Sequence, residues 1–119
     1  MNRFHSLLIA ALLLSLPFAC QAHVHVKKTV PEKGQVLSVP PKVLQVWFSS
    51  NVEAEWSKIS VENTKGDRVD TGDVRSIAGD ASSLEIDLKP LKSGSYNVRW
   101  NVISSDGHRV KGGIGFKVK

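Results

Sequence analysis

Three histidines and one carboxylate in this chain have the types and positions to do chemistry together: His23, His25, His108 and Asp106. His23 directly follows Ala22. If the chain is cut between them, His23 offers two nitrogen donors, its free α-amine and its ring Nδ1, which together close a chelate on one metal ion. Cu(II) stands at the top of the divalent affinity order and favours tetragonal nitrogen and oxygen ligands. Asp106-Gly107-His108 can add a carboxylate oxygen and an imidazole nitrogen, with Gly107 letting the backbone turn. Alternate residues of an extended segment also face the same way, which would put Asp106 and His108 on one side. Taken alone, Asp106-Gly107 equally describes an ordinary turn opening the last hairpin; His23 gives it the second reading.

The same N-terminus offers a competing mode. A free amine, two deprotonated backbone amides and the His25 imidazole form a square-planar Cu(II) chelate even in an unfolded peptide. A folded domain favours the His23, Asp106 and His108 set, which deprotonates no amide, and leaves His25 as an auxiliary group beside it. Ser104 or Ser105 with His108 does not make a hydrolase, because no third group or nucleophile elbow accompanies them.

Everything at His23 depends on the segment before it. Arg3 supplies a positive start, residues 7–16 form an apolar run too short to span a bilayer comfortably, and Pro17 ends any helix there. Small residues at Cys20 and Ala22 fit a signal-peptidase site, so residues 1–22 are expected to be a cleaved signal peptide and 23–119 the mature domain. A lipoprotein in which Cys20 is acylated is the competing reading, disfavoured by Pro17 three positions before the cysteine. Export points to the periplasm. Cleavage also removes the chain's single cysteine and single methionine, Cys20 and Met1. The mature domain therefore has no disulfide, despite an oxidising destination, and no sulfur ligand of the kind that selects Cu(I).

Removing the first 22 of 119 residues leaves 97, the size of one domain with one core. The formal charge falls from +5 to +4 when Arg3 leaves. So mild and scattered an excess, on an exported chain, argues against nucleic acid.

The elements that must position these residues read as strands. Apolar residues alternate at Leu44, Val46 and Phe48, at Ile59 and Val61, and at Leu84, Ile86 and Leu88. Tyr96, Val98, Trp100 and Val102 share a face opposite Asn97, Arg99 and Asn101, and Ile114, Phe116 and Val118 close the chain. Shorter extended pieces are expected at 24–30 and 69–77, with a turn at Asn63-Thr64-Lys65-Gly66-Asp67. No stretch of the mature chain has sustained helical periodicity. About seven short antiparallel strands predict an all-β fold, an immunoglobulin-like Greek-key sandwich or barrel. Trp47, Trp56, Trp100 and Tyr96 are expected as core or rim aromatics.

Over essentially its whole mature length the chain resembles the CopC/PcoC family of periplasmic copper proteins, particularly its short YobA-like members. The resemblance rests on His23 at the cleavage site, Pro31-Glu32-Lys33-Gly34, Val46-Trp47-Phe48-Ser49 and Lys92-Ser93-Gly94-Ser95-Tyr96 leading into Val98-Arg99-Trp100. Its most specific part is Val102-Ile103-Ser104-Ser105-Asp106-Gly107-His108 followed by Lys111-Gly112. The family implies a Cu(II) site, one ion per chain, built from the amine and ring of His23 with Asp106 and His108. It further implies a role in copper tolerance or uptake, without turnover, with an inner-membrane CopD-type transporter as partner. Two departures matter. Many members read Ser-Glu-Pro where this chain has Ser49-Ser50-Asn51, and some carry a methionine-rich Cu(I) site that this chain lacks. The expected protein is thus a Cu(II) binder, taken as a monomer, rather than an enzyme. The competing expectations are a histidine-brace copper oxygenase and an exported interaction module without a metal site.

Overall fold

The computed structural model describes residues 23–119; the expected signal peptide, with Cys20, lies outside the described residues. Eight strands follow in order: β1 (Val26–Val30), β2 (Val36–Leu37), β3 (Val43–Phe48), β4 (Lys58–Asn63), β5 (Arg75–Ile77), β6 (Asp80–Asp87), β7 (Gly94–Ile103) and β8 (Arg109–Val118). They form two four-stranded sheets, ordered β1-β3-β6-β5 and β2-β8-β7-β4. A single 3-10 turn, Ala54–Trp56, interrupts the strand pattern among the described residues.

The alternating residues meet between the sheets. Leu44, Val46 and Phe48 from β3 and Leu84 and Ile86 from β6 face Ile59 and Val61 from β4, Val98, Trp100 and Val102 from β7, and Phe116 and Val118 from β8, all buried. Burying each such side chain contributes about 1.5–3 kcal/mol relative to leaving it in water, and with no disulfide this is what holds the sheets together. Tyr96 begins the long strand β7 and stacks on Phe116 with ring centroids 5.4 Å apart. Its hydroxyl donates to the Lys92 carbonyl at 2.6 Å, a corner that ties the start of the strand to the chain four residues back.

The all-β sandwich expected from the pattern is present, with differences of detail. There are eight strands rather than seven, and the added one, β2, pairs in parallel with the end of β8. Two residues are too few to show a period, which is why β2 leaves no mark in the sequence. The extended piece expected over 69–77 narrows to β5 at 75–77. Asp70, between β4 and β5, instead turns its carboxylate inward. There it accepts from the backbone N–H of Val61 (2.8 Å) and Gly72 (2.9 Å) and from Arg68 at 2.7 and 2.8 Å. The turn at 63–67 forms as expected, Asn63 Oδ1 accepting from the N–H of Lys65 and Asp67 at 2.9 and 3.0 Å. Of the aromatics, Tyr96 and Trp100 are buried and Trp47 lines the rim under Lys28 at 5.1 Å, but Trp56 is 70% exposed on the 3-10 turn. Among the described residues no helix is long and apolar enough to cross a membrane.

Candidate metal centre

One end of the sandwich gathers three chain segments. Leaving β3, the Ser49 N–H donates to the His25 carbonyl (2.8 Å), and the Ser49 hydroxyl accepts from the His25 N–H (3.0 Å). Two residues later the Asn51 carbonyl accepts from the Ser105 N–H at 3.0 Å, and Val52 bridges Ser104. The segment 49–52 thus stands between the N-terminal segment and the β7–β8 connection, tied to both.

The connection is a tight turn. Ser104 N–H donates to the His108 carbonyl at 2.8 Å and Gly107 N–H to the Ser104 carbonyl at 2.9 Å. Gly107 has φ +88°, a conformation that L side chains rarely adopt, so glycine is needed there. Asp106 and His108 do come together, with Asp106 Oδ2 2.9 Å from His108 Nδ1. The turn brings this about; the segment is not extended, so alternation is not the cause.

The carboxylate has three donors. The Ser104 hydroxyl donates to Oδ1, the His108 backbone N–H donates to the same oxygen at 3.1 Å, and the His108 ring approaches Oδ2. The Ser104 hydroxyl first, then the His108 ring and N–H, hold the Asp106 carboxyl far below the usual carboxylate range. An ionised carboxylate can only accept, so the ring proton sits on Nδ1 and Nε2 of the neutral imidazole carries a free lone pair. Both side chains are more than half exposed, 54% for Asp106 and 66% for His108, so this nitrogen is open to an incoming ion. A metal-binding histidine commonly carries its other ring nitrogen on a carboxylate in this way.

His23 and His25 are both exposed at the same end. His23 does not complete the pair: among the described residues no three His, Cys, Asp or Glu side chains converge closely enough to hold a metal ion. In the chain described, the His23 nitrogen is still an amide bonded to Ala22, so the amine donor does not exist in this covalent state. Ser104 was not given a role by its sequence, yet it is 1% exposed and anchors Asp106 from beneath. Its spacing two residues before an aspartate in a turn was the available signal.

A disulfide-free two-sheet sandwich that presents an oriented carboxylate–imidazole pair on an end loop, beside its N-terminal segment, defines a class of small all-β binding domain. The chain belongs to the CopC family: the CopC domain profile matches residues 26–119, beginning just after His23 and His25. It is 32% identical over 118 residues to the Bacillus subtilis copper transport protein CutJ, covering 98% of this chain but only 22% of that longer protein. It is 31% identical to the Escherichia coli protein YobA over 82% of this chain and 80% of YobA. The crystal structure of CopC from Methylosinus trichosporium OB3b superposes with a TM-score of 0.76 at 31% identity, over 82% of this chain and 94% of that one.

Proposed function

We propose that the protein, processed to begin at His23 and exported to the periplasm, binds one Cu(II) ion and buffers it or hands it on without turnover. The ligands are the amine and Nδ1 of His23 together with Asp106 and His108, and the recipient is a membrane transporter of the CopD type. The observation that carries this reading is the Asp106–His108 pair, exposed and oriented at the end of the sandwich where the N-terminal segment is tied down. Family membership supports the copper chemistry, because CutJ is a copper transport protein and the superposed structure is a CopC. The lack of sulfur outside residues 1–22 supports Cu(II) over Cu(I).

The bond between Asp106 Oδ2 and His108 Nδ1 favours a second arrangement of the same site. In it His108 binds through Nε2 and Asp106 stays on the ring as its orienting partner rather than entering the coordination sphere.

The test is a one-residue extension of the mature N-terminus. It removes the amine and its chelate while leaving every side chain in place, so Cu(II) affinity measured by competition with a chromophoric chelator should fall by orders of magnitude. An extended variant that keeps its affinity overturns the site.

A further inference from the structure

The two sheets do not close on each other beside β1. β1 pairs with β3 alone, and β8 pairs along its whole length with β7 on one side. On its other side β8 is covered only at its end. Gly34 N–H donates to the Gly115 carbonyl at 2.7 Å, Lys117 N–H to Gln35 at 2.9 Å, and Lys119 N–H to Leu37 at 2.9 Å. Odd-numbered residues of β8 therefore turn their backbone groups away from β7, and the period of two extends this to Arg109, Lys111 and Gly113. Among the described residues nothing pairs with the outward N–H and C=O groups of these three. A groove runs along this free edge, with Lys27, Lys28 and Lys33 on the β1 side and Trp100, Gly113 and Ile114 across from them.

We infer that this seam takes an acidic, extended peptide segment of a partner protein, added as a strand to the free edge of β8. The occupant's chemistry follows from alternation. One face of an added strand would look into the groove over Trp100 and Ile114 and asks for apolar side chains. The other would stand beside Arg109 and Lys111, on the outer face of the sheet, and asks for carboxylates. The two cations and the three lysines opposite are in no ion pair among the described residues, although the Lys28 ammonium sits over the Trp47 ring at 5.1 Å. Glu32 is the single acid lining the groove. A second copy of this chain is the wrong occupant, because pairing β8 with β8 about Lys111 sets cations against cations. Edge lysines of this kind discourage self-association while still admitting a strand of opposite charge. An anionic lipid surface would meet the same charge but has no use for a row of directed backbone groups. Since β8 starts one residue after His108, a segment on this edge would end beside the candidate metal centre, although the seam itself needs no metal.

The experiment titrates the processed, metal-free protein with an end-blocked peptide of alternating Glu and Val, and repeats the titration with Cu(II) present. Slowed amide exchange is expected at Arg109, Lys111 and Gly113, with binding that weakens with added salt and is absent for the corresponding Lys–Val peptide. K111P deletes one outward N–H and leaves the β7 ladder intact, as proline is tolerated on a free edge. It should weaken binding by up to about tenfold, the upper worth of that one backbone hydrogen bond. K111E, which keeps that N–H, should weaken it through charge alone and stands in if K111P fails to fold. The inference is overturned if both variants bind like the parent, if protection appears elsewhere, or if phosphatidylglycerol vesicles bind parent and K111P alike while the peptide does not bind. Because the peptide is read without metal, failure here leaves the copper reading untouched, and failure of copper binding leaves this one untouched.

Discussion

At Asp106 and His108 the useful fact is which atom holds which proton. The carboxyl titrates lower in the folded turn than in the unfolded chain. Its hold on the loop is therefore complete above the unfolded carboxyl value of about 4 and is lost only as pH falls through the still lower folded value. Over the range in which imidazoles take up protons, around 6.5, the turn stays built and His108 stays oriented. Cu(II) affinity should fall between pH 7 and 5 because protons compete for the amine and the imidazoles, not because Asp106 neutralises. D106N should then bind about 10–100-fold more weakly, as loss of an orienting partner does, while keeping the same slope of affinity against pH. Competition titrations at several pH values check both; a slope that flattens in D106N would make the carboxylate itself the titrating group.

At the scale of strands, the seam between β7 and β8 shows what the sequence can and cannot convey. β7 is legible because Tyr96, Val98, Trp100 and Val102 alternate with polar residues over a long run. The first half of β8 is not, because Arg109-Val110-Lys111-Gly112-Gly113 is poor in strand formers; it is a strand because β7 pairs with it and because large neighbours demand glycine. A Cβ on Gly112 would sit 2.8 Å from the indole nitrogen of Trp100, and one on Gly113 would clash with the Val98 carbonyl. G112A should destabilise by about 1–3 kcal/mol, the usual cost of overpacking, seen in chemical denaturation. Asp70 is the other contact alternation could not disclose, since burying a carboxylate contradicts it. Arg68 and two backbone N–H groups keep this carboxyl ionised, outweighing the burial that opposes charge. D70A leaves the half-exposed Arg68 to water but strands the buried Val61 N–H, so it should cost about 1–3 kcal/mol, the penalty for an unsatisfied buried donor. The parent's Asp70 contribution, present above about pH 4, should disappear on acidification below it; an acid-unfolding midpoint unchanged in D70A would contradict that.

For the molecule as a whole, the proposed site is a relation between the N-terminal segment and the β7–β8 turn, and that is why half of it escapes the sequence. Asp106 and His108 are local and readable from a few residues, whereas the position of His23 depends on long-range pairing and on cleavage after Ala22. The same dependence separates the two ways in which copper could be held. The amide chelate of His23 and His25 forms on folded and unfolded chains alike, so it adds nothing to stability, while a site that needs Asp106 and His108 exists only in the folded state. At a free Cu(II) concentration of 100 times Kd, the folded site should add at most about 2.7 kcal/mol, less whatever the unfolded chain gains through the amide chelate. For a domain of this size the full amount raises the melting temperature by roughly 10–20 °C. The processed protein should show this shift in a thermal melt. The unprocessed chain should not, because His23 has no amine there, and H108A should bind copper yet melt where its metal-free form does. A copper-dependent shift that survives in H108A would move the site to the N-terminal segment alone.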